Sequence, residues 1–210
     1  MFRIADTEEL RPAFKEVTGT ELDWTSYDEF LRHLEKTGVG CNMIINASHS
    51  QIRIQVLGVD YKRSATVDEV EKMKEYVRSA MEAGASGLSY GLEYCPGTYA
   101  DTYELTELAR VVKEYDGVVT AHLQWRKNRR ERDDPGHEGV DGVKEFLEIG
   151  KETGVRLHIS HMLGGYTVVP PEDELVRAGV RRLLEVIDSY RRDGVQVTWD
   201  VLPYDVVAIY

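Results

Sequence analysis

Cysteine is scarce in this chain. Cys41 and Cys95 are the only two among 210 residues, too few for a disulfide framework, and neither lies in a C-x-x-C pair of the zinc or redox type. Both are expected as buried free thiols. Positive charge is also in short supply: 26 basic against 37 acidic residues leave a formal net charge of -11. That balance argues against a sequence-independent grip on nucleic acid or on an anionic membrane, because both depend on dense positive charge. No apolar run approaches the ~20 residues of a spanning helix, and residues 1–11 lack the basic start and apolar core of a signal peptide. The expectation is a soluble, cytoplasmic protein that binds neither nucleic acid nor membrane. Internal repeats and low-complexity segments are absent as well.

What is present is a regular alternation of short strand-like runs and longer helical stretches. Residues 42–47 form a compact apolar run and 86–90 lie between glycines, while 117–122, 155–161 and 195–200 are rich in β-branched residues. These are five candidate strands. Between them, Thr66 and Glu69 form a capping-box pattern ahead of Val67, Val70, Met73, Val77 and Met81 at helical spacing. Residues 103–115, 138–153 and 172–193 read as further helices, and Ser26 with Glu29 caps another over 26–36. The first ~20 residues show no clear period; we take 1–23 as a connecting arm and 24–210 as the folded domain.

Strand then helix, several times over, implies a parallel sheet of about five β/α units, either an open doubly wound sheet or part of an eight-stranded barrel. A nucleotide-binding open sheet would carry G-x-G-x-x-G or G-x-x-x-x-G-K-[ST] after its first strand, and neither pattern occurs. The expected fold class is therefore α/β, a partial (β/α)8 TIM-type barrel. Five strands cannot close such a barrel, so two unpaired sheet edges and an exposed apolar interior are expected.

In either architecture ligands bind at the carboxyl ends of the strands. The polar residues ending the five runs are Asn46 and His49, Tyr90 and Glu93, His122, His161, and Asp200. His122 and His161 end successive strands, whose spacing of about 4.8 Å allows two imidazoles to converge on one or two divalent ions. A strand-end histidine is also commonly a hydrogen-bonded core residue. His158 is three residues from His161, so the two-residue period of a strand turns it toward the helix layer if His161 faces the interior. His33, on an amphipathic helix, and His137, in a charged loop, read as peripheral.

Residues 84–94 (GASGLSYGLEY), followed by Pro96-Gly97 and Tyr99-Ala100, resemble the G-A-x-G-L-S-x-G-L-x-Y-x-P-G segment of the N-acyl-D-amino-acid deacylases, a family of metal-dependent amidohydrolases. The similarity runs on through Glu104-Leu105, Ala121-His122, Glu145 with Ile149-Gly150, Ile159-Ser160-His161 and Asp200 with Pro203-Tyr204, and back to Trp24 and the Ser48 to Arg53 segment. It covers about residues 24 to 207. The resemblance implies a (β/α)8 barrel of which these would be strands three to seven, with His122 and His161 as metal ligands and Zn²⁺ as the cofactor. The implied reaction is hydrolysis of the amide of an N-acyl-D-amino acid, with zinc polarising the acyl carbonyl and lowering the pKa of its water toward ~7. His49, Tyr90, Glu93, Arg126, Asp200 and Tyr204 are the candidate substrate contacts.

The family's H-x-H from its first strand, its bridging cysteine from the second and its catalytic aspartate from the eighth have no counterpart in these 210 residues. Its H-x-R after strand five is His122-Leu123-Gln124 here, and its S-H-x-K is Ser160-His161-Met162-Leu163. The catalytic residue is therefore unknown, the isolated chain is expected to be inactive, and it is expected to need the missing barrel segments or an oligomeric partner. Two alternatives stay open: a catalytically inactive remnant that binds a small ligand or a partner chain, and a cyclic amidase or deaminase of the same superfamily.

Overall fold

The computed structural model describes residues 7–123, 140–162 and 173–202. Five strands, β1 (Ala47–Ser48), β2 (Gly87–Gly91), β3 (Val118–His122), β4 (Arg156–Ile159) and β5 (Val197–Trp199), form one all-parallel sheet in the order β1-β2-β3-β4-β5. The helices are α1 (Thr7–Thr18), α2 (Tyr27–Thr37), α3 (His49–Leu57), α4 (Val67–Glu82), α5 (Thr102–Glu114), α6 (Val140–Thr153) and α7 (Asp173–Arg192). A strictly sequential strand order has no switch point, which separates this sheet from a doubly wound one and makes it an arc of a (β/α) barrel. Among the described residues, the β1 and β5 edges each have one neighbour.

The period of two decides what each face carries. Ala47, Leu88, Val119, Leu157 and Val197 are in register across all five strands and are all buried. Together with Tyr90, Ala121 and Ile159 they meet the inner faces of the helices, among them Met73, Leu108, Phe146 and Ile187. Each such large side chain contributes about 1.5–3 kcal/mol relative to exposure. The alternate positions form a second row, Ser48, Ser89, Thr120, His158 and Thr198, and this row points to the open face. The expected apolar interior is thus corrected: at this level the uncovered face is small and polar, and leaving it uncovered costs little.

Local chemistry explains where the elements begin. Ser26 and Thr66 each accept the backbone N–H three residues on while Glu29 and Glu69 reach back, so α2 and α4 both start on a complete capping box. Gly87 lets β2 and β3 approach, since a Cβ there would sit 1.8 Å from the Val118 carbonyl oxygen. Of the run at 42–47 only Ala47 enters the two-residue β1, and Met43 and Ile44 are exposed. The expected arm at 1–23 contains the helix α1, on which Val17 is 85% exposed and Phe14 meets Trp24 edge-on. Both thiols, expected inside, are exposed, Cys41 ahead of β1 and Cys95 in the turn after β2. Among the described residues no helix is long and apolar enough to cross a membrane.

Candidate active site

β3 ends at His122, and it meets His161, two residues beyond the end of the neighbouring β4. His122 Nδ1 lies 2.8 Å from His161 Nε2, with the rings 4.5 Å apart and inclined at 67°. The other nitrogen of His122, Nε2, is 2.8 Å from Glu93 Oε2, and Tyr94 stacks on the same ring at 4.7 Å. Glu93 reaches His122 because β2 ends at Gly91, paired with His122, and the chain then turns over the strand end. A carboxylate can only accept, so Glu93 selects the His122 tautomer with the proton on Nε2 and leaves the Nδ1 lone pair facing His161. His161 then donates its Nε2–H across the pair.

His161 stands outside the strand proper. β4 ends at Ile159 and His161 takes a left-handed backbone, φ 38°. The sequence-based orientation of His158 is overturned for this reason: the strand period cannot be carried through a turn, and both histidines face the open side. His158 Nδ1 lies 2.8 Å from Thr198 Oγ1 and its Nε2 lies 2.9 Å from Asp200 Oδ2. Asp200 also accepts the His161 backbone N–H through Oδ1, and those two bonds, His158 first, hold its carboxyl below the usual carboxylate range.

The other expected contacts fare differently. Tyr90 is fully buried and donates its hydroxyl to the Leu105 carbonyl, so it faces the helices rather than the rim. It lies level with Ala121 and Ile159 in the buried rows, and burial, followed by the nearby Glu104 charge, pushes its phenol well above the usual value. His49 is also fully buried, edge-on to Tyr90 at 5.2 Å, with Nε2 2.7 Å from Glu104 Oε1. Arg53 binds the other Glu104 oxygen and the carbonyls of Tyr61 and Arg63. Burial raises the Glu104 pKa, but the bonds and charges of His49 and Arg53 outweigh it and hold the carboxyl below its ordinary value. His49 and Tyr90 are therefore withdrawn as substrate contacts on the ground of burial. His33 is peripheral as expected, against Trp24 and Asp23. Arg126, Tyr204 and His137 lie outside the described residues.

The sequence pattern turns His158 the wrong way and singles out neither Thr198 nor the Arg53–Glu104 pair. A signal for the first two exists: Val119-Thr120-Ala121, Leu157-His158-Ile159 and Val197-Thr198-Trp199 each place one polar residue between two apolar ones. That is the mark of a strand with one face on the core and one open.

The donor set suits a borderline cation such as zinc in part. Two imidazole nitrogens point at each other and share a proton that a cation would replace, and Glu93 backs one ring in the manner of carboxylate–histidine–metal chains. Among the described residues, no group of three or more His, Cys, Asp or Glu is placed to hold a metal ion. His122 and His161 would supply two ligands and leave the remaining positions open.

No family model matches the chain. It is 31% identical over 163 residues to the N-acyl-D-glutamate deacylase of Alcaligenes xylosoxydans xylosoxydans, covering 78% of this chain and 30% of that protein. It is 30% identical over 135 residues to the D-aminoacylase of the same organism, covering 64% and 26%. A crystal structure of D-aminoacylase superposes with a TM-score of 0.70 at 26% identity, over 86% of this chain and 34% of that one. The N-acyl-D-glutamate deacylase of Bordetella bronchiseptica, solved with zinc and a phosphonate mimic of the tetrahedral intermediate, gives 0.71 at 28% identity over 91% and 37%. The chain thus spans 26–30% of the length of these curated relatives.

Proposed function

The chain belongs to the N-acyl-D-amino-acid deacylase family of amidohydrolases, and from that membership we propose that it carries the histidine pair of a zinc-dependent site that hydrolyses the amide of N-acyl-D-amino acids. The observation that supports this reading is the 2.8 Å approach of His122 Nδ1 to His161 Nε2 at the carboxyl end of parallel strands. Both nitrogens are held where one cation can replace the shared proton. When bound, zinc would polarise the acyl carbonyl and lower the pKa of its water toward ~7.

This chain's own residues orient and hold. Glu93 accepts from His122 Nε2 and keeps Nδ1 available. Asp200 fixes the backbone turn that carries His161. Tyr94 closes one side of the His122 ring against water. Glu93 and Asp200, nominated from sequence as substrate contacts, are committed to these histidines, and neither is assigned the proton transfer to the leaving amine. Arg126 remains, from the sequence alone, our candidate for the substrate carboxylate, and Tyr204 for a further contact.

The ligand count favours one second reading, binding without turnover, because catalytic zinc sites use three protein ligands and this pair supplies two. Assays of the zinc-loaded chain, alone and joined to the barrel segments that it is expected to need, on N-acyl-D-amino acids, N-acyl-L-amino acids and cyclic amides separate the readings. The isolated chain is expected to be inactive, and the joined form to hydrolyse the D series alone and to lose that activity in His122→Ala. Zinc uptake without hydrolysis by the joined form moves the assignment to a binding remnant, and turnover of cyclic amides instead overturns the substrate class.

A further inference from the structure

His158 has no part in the proposed ligand pair, yet the hydrogen bonds lead from it to that pair without a break. Its ring lies on the open face in the polar row, with Thr120 and Thr198 as its in-register neighbours. Both ring nitrogens are engaged, Nδ1 with Thr198 Oγ1 at 2.8 Å and Nε2 with Asp200 Oδ2 at 2.9 Å. Asp200 spends its second oxygen on the His161 backbone N–H. Its backbone completes the junction, accepting from Met162 N–H at 2.8 Å and donating to the Ile159 carbonyl at 3.1 Å. His161 is one of two non-glycine residues with positive φ among those described, and such a backbone persists only where its surroundings enforce it.

We propose that His158 is a positioning residue: by donating Nε2–H to Asp200 Oδ2 it orients that carboxylate, which holds the left-handed turn and thereby aims the His161 ring at His122. The proposal rests on the deacylase-family reading only for the use to which the aimed ring is put. The brace itself belongs to the metal-free chain. Asp200 is 60% exposed, and without a second anchor a carboxylate at that exposure would rotate among solvent-facing rotamers. His158, with its side chain 28% exposed and tied at the opposite end to β5 through Thr198, supplies the anchor. The proton must sit on Nε2, because the ionised carboxylate facing it can only accept.

The test compares wild type, His158→Gln, which keeps an N–H donor, and His158→Leu, which keeps bulk alone. In the metal-free wild type, side-chain ¹⁵N shifts should show His158 protonated on Nε2, and the His161 amide should be downfield and protected from exchange. His158→Gln should retain the amide signal and His158→Leu should lose it, with unchanged melting in all three. In zinc titrations of the same samples, His158→Leu should bind about 10- to 100-fold more weakly and His158→Gln should recover most of the loss. A His158 ring unprotonated at Nε2 in the wild type, or a His161 amide unaltered in His158→Leu, overturns the brace. If His158→Leu does not fold, the wild-type tautomer and the His158→Gln amide decide the matter. A wild type that takes up no zinc while the amide results hold overturns the metal reading and leaves the brace standing.

Discussion

Glu104 is a charge at zero exposure, and its neighbours explain why it stays ionised there. His49 and Arg53 each bind one of its oxygens, and both are themselves wholly buried. Removing one partner from such a cluster leaves a charge in low dielectric with nothing to answer it. Glu104→Gln is therefore expected to destabilise the fold by about 3–5 kcal/mol, since Arg53 loses its counter-charge. Chemical denaturation measures this directly, and a loss under about 1 kcal/mol would mean the cluster is solvated or dispensable. The same cluster shows what single residues leave open. His49 and Tyr90 end apolar runs, but a run's end does not tell which face a side chain takes. Tyr90 shares its register level with Ala121 and Ile159, both buried, whereas His122 falls one position further on and turns to the open side.

Among the elements, α4 is legible in the sequence apart from Val67, which falls at the helical spacing yet is 60% exposed, and α3 is not legible. In α4 the capping box and the buried stripe of Val70, Met73, Val77, Ala80 and Met81 agree on start, face and length. The buried stripe of α3 is equally regular, His49, Ile52, Arg53 and Leu57, but two of its four members are ionisable and hydropathy therefore hides it. Tertiary pairing with Glu104 is what makes those two residues internal. The α4 cap also carries a pH signature. Glu69 binds Arg63 first and then the Thr66 backbone and side chain, which together lower its pKa from 4.5 to about 2. A carboxyl depressed on folding contributes stability that is complete above the unfolded value and lost as pH falls toward the folded one. Glu69→Gln should thus be less stable than wild type by about 1–2 kcal/mol at pH 7. The gap should close between pH 4.5 and about 2. Urea unfolding across that range checks it, and a gap independent of pH would remove Glu69 from the cap.

For the molecule as a whole, five parallel strands in sequential order, with helices packed on one face, bring the ends of β3 and β4 together at an open rim. The alternation of apolar run and glycine-stopped helix made the arc readable from sequence, because each β/α unit has a local period of its own. The turn after Ile159 was not readable: nothing in Ser160-His161-Met162 marks a left-handed backbone at a non-glycine residue. Nor was the polar open face, which depends on register across strands distant in sequence. The paired histidines meet all the same, because β3 and β4 are neighbours and the turn that Asp200 holds after β4 carries His161 to His122. Metal analysis of the purified chain after zinc loading and removal of free ion tests that meeting most directly, in wild type, His122→Ala, His161→Ala and His33→Ala. Wild type and His33→Ala should retain zinc equally while the other two lose it. Equal metal in all four would contradict the shared cation site.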